Sequence, residues 1–353
     1  MKVLMVMKKL RYSGAYKMFM WVAKALADRG FDVTVFTYMQ NLVTELPPNI
    51  KWIQVDLENK GFNSHLCAVR KVVQDVKPDC VVSFLLDANI LNMLACLGTR
   101  SKSIVCERND PFKPKYYAMK IAKPFFRLAD GAVYQLPKVA EFYKNIKGPT
   151  AVIPNPVLCD SNIQVKPFAE RHKIIVTLGR VDIFQKRHDV LVRAFAIFSQ
   201  QHPDYKLVIY GDGPDEKKIN DLIVDLNIAD KAMLGGVAKN PQEVIKNAKF
   251  FVMTSDFEGI PNALIEAMSI GLPCISTDCR PGGAALLINN MKNGILVQPH
   301  NVDDLAKQMS YLVEHPAEAD AMGANAKRIV DEFAEEKIAQ MWCDYLINFQ
   351  AGN

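Results

Sequence analysis

Phe250-Phe251-Val252-Met253-Thr254-Ser255-Asp256-Phe257-Glu258-Gly259-Ile260-Pro261-Asn262-Ala263-Leu264-Ile265-Glu266-Ala267-Met268-Ser269 reads as a strand, a loop and a helix. The first four residues are apolar without alternation, as in a strand covered on both faces. The loop is polar and contains Gly259. Pro261 stands where a helix opens, because its missing N–H falls among donors that a first turn leaves unpaired. Helical periodicity then carries Pro261–Ser269. A continuous apolar strand feeding a helix is the unit of a parallel sheet with helices on both faces.

Outward from this stretch the same unit repeats. Cys274–Thr277 and Ile295–Val297 are strands downstream, and Lys173–Leu178, Leu207–Tyr210 and Ala232–Leu234 are strands upstream. Helices are expected at His188–Gln200, Asp303–Val313, Ala317–Asp331 and Glu335–Phe349. The first half has apolar strands at Val3–Met7, Val33–Thr37, Trp52–Val55, Cys80–Phe84, Ser103–Glu107, Ala132–Tyr134 and Ala151–Ile153. Helical spacing fills Tyr16–Asp28, Ser64–Val76, Asn89–Leu97 and Lys138–Lys144. The alternation lapses near 154–170, where Pro154, Asn155, Pro156 and Pro167 mark an irregular connection.

Two α/β domains are therefore expected. The chain has 353 residues, and single cores stop growing beyond about 250–300. The expected division is 1–165, 166–332 and a closing helix over 333–353. In that helix Ile338, Met341, Trp342, Tyr345 and Phe349 make an apolar docking stripe.

Half of the residues are hydrophobic and 23% are charged, as in an ordinary globular protein. The net charge of +5 is too mild to argue for nucleic acid. Positive charge is concentrated at Lys113, Lys115, Lys120, Lys123 and Arg127, interleaved with Tyr116, Tyr117, Phe125 and Phe126. Such a surface suits anionic lipid headgroups or an anionic acceptor, or it is a solvated helix face. Pro124 divides it into two short helices. Eight cysteines lie scattered with no CxxC pair, which favours reduced, buried thiols and the cytoplasm. Val3–Met7 is too short for a signal peptide core, and no run approaches the roughly 20 apolar residues of a membrane span. Six histidines without ligand spacing, and no Asp-x-Asp, leave no metal site to propose.

Ligands of open α/β sheets bind beyond the carboxyl ends of the strands, so the residues after each strand are the candidates. Gly179 and Arg180 follow Leu178, with Lys186 a short loop later. Two cations at one strand end can hold a diphosphate, Arg as a fork and Lys as a mobile point charge, although such residues are ordinarily surface cations. After Met253, the Gly259–Asn262 region offers unpaired amides at the positive end of a helix, which suits a phosphate or sugar hydroxyl. Glu258 before it and Glu266 on the helix can each accept two hydroxyl hydrogens, the first from a sugar and the second from a ribose diol.

Glu258 to Met268 resembles the E-x7-E motif of retaining family-four glycosyltransferases, and Gly271-Leu272-Pro273-Cys274-Ile275 is similar to its continuation. Gly179-Arg180 with Lys186, Gly211-Asp212-Gly213-Pro214 and Asn293-Gly294-Ile295-Leu296-Val297 match in order. The first half resembles the family at Ser13-Gly14-Ala15 and Ala129-Asp130-Gly131. The resemblance implies a GT-B fold: two facing Rossmann-like domains, a deep interdomain cleft and a C-terminal helix crossing back to the first domain. It implies that Arg180 and Lys186 neutralise the departing diphosphate and that the amides of Gly259 and Ile260, with Pro261 and Asn262 beside them, meet the donor. Glu258 would bond the donor sugar and Glu266 the ribose, with the base near Gly236 and Val237. Ser13 and Gly14 would approach the phosphate, and Arg108 or Asn109 the donor sugar. Ser13 stands where the family usually has Gly, Tyr16 where it often has Glu, and the Arg180-to-Lys186 spacing is one residue longer than the commonest form. Glu107 to Asp110 also reads as a charged turn before Pro111.

The function implied is transfer of a sugar from a nucleotide-diphosphate sugar, a UDP-sugar by preference, to a saccharide or lipid-linked saccharide, with no cofactor and no metal. Retention comes from the resemblance alone. A nucleotide-sugar epimerase of the same fold and a non-catalytic nucleotide-sugar-binding protein remain open. A dinucleotide oxidoreductase ranks last, because no strand end carries G-x-G-x-x-G.

Overall fold

The computed structural model describes residues 1–10, 14–41, 45–108, 110–112, 123–146, 148–158, 163 and 165–351. The chain forms two compact units. The first comprises Met1–Asn155 with Glu335–Asn353, and the second Pro156–Ala334.

Unit 1 is a seven-stranded sheet of β1 (Lys2–Met7), β2 (Asp32–Thr37), β3 (Lys51–Gln54), β4 (Cys80–Phe84), β5 (Lys102–Glu107), β6 (Gly131–Tyr134) and β7 (Thr150–Val152). Their spatial order is β3-β2-β1-β4-β5-β6-β7, and every neighbouring pair is parallel. The chain winds outward from β1, then returns to lay β4 on its other side. Helices α1 (Gly14–Ala27), α2 (Phe62–Val76), α3 (Leu86–Cys96) and α4 (Pro137–Phe142) make the crossovers that parallel strands require.

Strand residues of opposite parity face opposite layers. Leu4, Val6 and Val81 join Val69, Val73 and Leu91 in a core beneath α2 and α3. Phe84, of the other parity, meets Phe19 of α1 edge-on at 5.3 Å and stacks on Trp342 at 6.3 Å. Trp342 belongs to the last helix of the chain (Glu335–Ala351), which buries Ile338, Trp342, Leu346 and Phe349. The apolar stripe read from the sequence is thus a core face. At Gly131 a Cβ would stand 2.5 Å from Tyr345 Oη and 2.6 Å from the Phe349 ring, so only a bare backbone lets that helix end settle on β6.

Unit 2 is a six-stranded parallel sheet of β8 (Ile174–Leu178), β9 (Lys206–Tyr210), β10 (Ala232–Gly236), β11 (Phe250–Met253), β12 (Cys274–Thr277) and β13 (Ile295–Val297). Its order is β10-β9-β8-β11-β12-β13. The pattern of unit 1 recurs, with β8 and β11 adjacent where the winding reverses. Helices α5 (His188–Gln201), α6 (Glu216–Asp225), α7 (Pro241–Ile245), α8 (Asn262–Ser269), α9 (Gly283–Leu287), α10 (Val302–Glu314), α11 (Pro316–Ala326) and α12 (Ile329–Glu332) complete it. The last helix, described above, is α13.

Three expectations need correction. The helix expected over Ala317–Asp331 is two helices, α11 and α12, separated by Lys327 and Arg328. Pro261 caps α8 in an extended conformation and the helix opens at Asn262. Lys123–Leu128 is a single 3-10 helix that runs through Pro124, whose missing N–H falls in the first turn where it has no partner to lose; Lys113, Lys115, Tyr116, Tyr117 and Lys120 lie outside the described residues. Apart from Cys67, the cysteines among the described residues are free and buried. Burial pushes the Cys106 and Cys279 thiols up to about 12, so they pack as apolar groups. No helix among the described residues is long and apolar enough to cross a membrane.

Removing the indole of Trp342 takes the largest side chain out of the contact between α13 and β4. Trp342→Ala should cost about 3–5 kcal/mol, read as a lower denaturant midpoint for unit 1. Gly131→Val should cost a comparable amount by pushing the helix end away.

Candidate functional site

In an open sheet the crevice for a ligand lies at the carboxyl ends of the two strands where the winding reverses. In unit 2 these are β8 and β11. The residues after β8 are Gly179–Lys186, and those after β11 are Thr254–Pro261.

The loops pack backbone against backbone. A Cβ on Gly211 would stand 1.9 Å from the Gly179 carbonyl, and one on Gly283 1.7 Å from the Gly259 carbonyl. Only glycine fits at either place. Gly179 N donates to Tyr210 O, Val181 N to Asp212 O and Gly211 N to Gly236 O. The chain after Val181 then turns tightly: Lys186 N reaches Asp182 O at 2.8 Å, and Asp182 caps Phe184 N. That turn lays Lys186 back across Gly179, whose missing Cβ would be 3.2 Å from Lys186 Cε.

Lys186 Nζ meets Glu258 Oε1 at 2.6 Å, where the carboxylate side chain is 10% exposed and the ammonium 18%. The same oxygen accepts the Ser255 hydroxyl at 2.8 Å. The two loops are also stitched together by other bonds. Thr254 Oγ1 lies 2.9 Å from Lys186 O and 3.0 Å from Arg187 O, Asp256 N donates to Gln185 O, and Gln185 Nε2 to Phe257 O. From the far side, Thr277 Oγ1 donates to Ser255 O at 2.6 Å, and Glu258 N to Arg280 O at 2.9 Å. Glu258 is thereby fixed at both its backbone and its carboxylate.

The remaining expected residues of unit 2 lie at strand ends of the same sheet and on α8. Arg180 is exposed beside Gly179, and its charge reaches Asp215. Asp215 is held below the usual carboxylate range first by its hydrogen bond from Lys218, then by Ile183 N. Ile260 and Pro261 are buried, Gly259 is half-buried, and Asn262 opens α8 with Glu266 one turn on, half-buried. Gly236 ends the edge strand β10 at a φ of 67° and Val237 follows it, both exposed. Among the described residues, no group of three His, Cys, Asp or Glu is placed to hold a metal ion.

In unit 1, Gly14 is exposed at the first turn of α1, while Ser13 and Asn109 lie outside the described residues. Arg108 follows β5 and is 9% exposed. Its guanidinium lies 4.5 Å from the centre of the Phe84 ring and 5.6 Å from that of Trp342. Nη1 donates to Asn155 Oδ1 at 3.4 Å, while Nε and Nη2 are buried with no hydrogen-bond partner among the described residues. Burial pulls its pKa below the ordinary arginine value. The charged turn read from the sequence is thus a buried cation on an aromatic face.

Sequence reasoning quoted Ser255 but gave it no role, and it missed Thr277 and Gln185. A hydroxyl three residues before Glu258, at the end of an apolar strand, was the available signal for Ser255. Thr277 and Gln185 act through backbone carbonyls, for which residue type gives no sign.

Residues 160–329 match the family model described as Glycosyl transferases group 1. An uncharacterized glycosyltransferase of Methanocaldococcus jannaschii is 30% identical over 269 residues, covering 65% of this chain and 66% of that protein. The lipopolysaccharide 1,6-galactosyltransferase of Escherichia coli is 30% identical over 252 residues, 67% of this chain and 66% of that protein. The chain spans a little under two thirds of the length of these two curated relatives. An Anabaena protein solved with UDP and glucose superimposes with a TM-score of 0.82 at 18% identity, over 98% of this chain and 99% of that one. At that identity the likeness shows the fold, two parallel Rossmann-like sheets of the GT-B kind.

His188 stands two residues beyond Lys186, at the start of α5. Burial pushes its imidazole down to about 4, with the Lys186 ammonium adding to the effect. A histidine with a depressed folded pKa binds fewer protons than it does unfolded. Stability is therefore complete above about pH 6.5 and falls as the pH drops from there toward 4. Between pH 7.5 and 5 the loss from this group should be about 2 kcal/mol. Urea denaturation should show unit 2 weakening over that interval, and His188→Gln should remove about that much of the pH dependence.

Proposed function

The chain belongs to the glycosyl transferases group 1 family of enzymes, and on that premise we propose the reaction that its site performs. The reaction is retaining transfer of a sugar from a nucleoside-diphosphate sugar, a UDP-sugar by preference, to a saccharide or lipid-linked saccharide in glycan assembly. The observation that carries this reading is the Lys186–Glu258 contact, 2.6 Å long, at the strand reversal of unit 2.

Breaking an anomeric C–O bond creates an oxocarbenium-like carbon and a doubly charged leaving group. The largest help a protein can give is fixed positive charge and N–H donors aimed at that leaving group. Lys186 reaches the site as a point charge, and Arg180 lies exposed beside it as a forked donor. The first turn of α8, opened by Asn262, adds the positive end of a helix dipole. Glu258 accepts hydroxyl hydrogens of the donor sugar, and Glu266 those of the ribose, with the base against Gly236 and Val237. Retention follows the family: the acceptor hydroxyl attacks on the face the diphosphate leaves, and a donor phosphate oxygen takes its proton. Arg180 and Lys186 do the work a metal ion would otherwise do.

The Anabaena structure's UDP and glucose support a UDP-sugar. The E. coli relative's name supports a glycan acceptor. An acceptor carried on lipid would be met in the cytoplasm at the membrane face. Phe125 and Leu128 are 47% and 39% exposed beside Arg127, and Phe112 is 43% exposed. Apolar side chains rimmed by a cation suit an anionic bilayer surface.

Calorimetric titration with UDP, GDP and their sugars tests the donor. A UDP-sugar should bind, and no affinity for any activated sugar would overturn the reading. Lys186→Ala should lower kcat by about 100- to 1000-fold and weaken UDP binding, measured as UDP release. Turnover that isomerises the donor with no acceptor present would point to an epimerase instead. Sedimentation with vesicles rich in anionic lipid should carry the protein down at low salt, and Phe125→Ser with Leu128→Ser should release it.

A further inference from the structure

We propose that Ser255 is a positioning residue that keeps Glu258 aimed at the donor sugar once Lys186 has turned to the diphosphate. This rests on the reading above. In the free protein Glu258 Oε1 accepts two donors, Lys186 Nζ at 2.6 Å and Ser255 Oγ at 2.8 Å. A nucleoside diphosphate competes for the first, because its charge exceeds that of one carboxylate and a lysine stem swings freely. The second cannot follow. Ser255 is fully buried. Its carbonyl is held by Thr277 Oγ1 at 2.6 Å, and its neighbours are held by bonds from Thr254 Oγ1 to Lys186 O and from Asp256 N to Gln185 O.

A serine hydroxyl has one hydrogen to donate, and here it goes to Oε1. Oε2 is left to accept hydrogens from sugar hydroxyls. When Lys186 departs, the carboxylate keeps one fixed donor, so it need not reorganise as the sugar binds. A carboxylate held in that way acts in the transition state at full strength. The Thr277–Ser255–Glu258 chain thus runs from the end of β12 to the donor sugar, with no residue of it required to touch the diphosphate.

The test is Ser255→Ala, which removes one oxygen from a buried position and keeps the remaining volume. The measurements are UDP affinity by calorimetry and single-turnover UDP release from UDP-glucose, UDP-galactose and UDP-N-acetylglucosamine. UDP affinity should stay within about threefold, while release from the preferred sugar falls about 10- to 100-fold, as expected for one hydrogen bond to a charged group. In a Glu258→Ala background, adding Ser255→Ala should change the rate less than about twofold, because the two act as one unit. Full activity of Ser255→Ala would overturn the proposal, as would additive losses in the double variant or loss of UDP affinity in the single one. An unaltered protein that binds no nucleotide would instead sink the reading of the site as a whole.

Discussion

A lysine ammonium and a glutamate carboxylate held 2.6 Å apart at the ends of two adjacent strands organise unit 2. Removing such a pair from water is costly unless further bonds complete it. The surrounding loops supply those bonds and are built to do so. Gly211 and Gly283 let four strand-end segments touch in pairs through their main chains, and Lys186 lies over Gly179 while Ser255 holds the Glu258 carboxylate. The reversal in strand order is what makes β8 and β11 neighbours. Without it, the two charges would be separated by whole strands.

The pattern of continuous apolar strands and amphipathic helices made the architecture legible, because a parallel sheet buried on both faces leaves no other composition for its strands. Cys80–Phe84, Phe250–Met253, Cys274–Thr277 and Ile295–Val297 were readable to the residue. Boundaries shifted where a proline or short linker decided them, as at Pro261 and between α11 and α12. Glu258, Lys186 and Arg180 could be marked because they follow apolar strands in the order of the motifs they resemble, although charge at such places is ordinarily surface charge. The contact between Lys186 and Glu258 could not be read, since they lie 72 positions apart and strand order alone joins them. Ser255 stands only three residues before Glu258, but which oxygen its hydroxyl faces is set by the fold and not by the residue type.

Unit 1 shows a different economy. Arg108 follows its strand as Arg180 follows β8, yet it is buried on Phe84 and Trp342 whereas Arg180 is exposed. A guanidinium is weakly hydrated and stacks on rings, which an ammonium does poorly. The indole that supports it comes from α13, so the position of this cation depends on a helix far away in sequence. That dependence explains why a turn rich in charge, unremarkable as text, becomes part of a packed interior.

Unit 1 is assembled from both ends of the described chain, with all of unit 2 threaded between them. A ribosome therefore delivers the first seven strands early and the helix that seals them last. Throughout the synthesis of unit 2, the hollow around Phe84 faces solvent or a chaperone, and the nascent sheet is greasy on one side. Unit 2, uninterrupted along the chain, can close on its own as it emerges. A chain cut between Ala334 and Glu335 would therefore hold a contiguous unit 2 beside a first unit whose Phe84 has lost its indole cover.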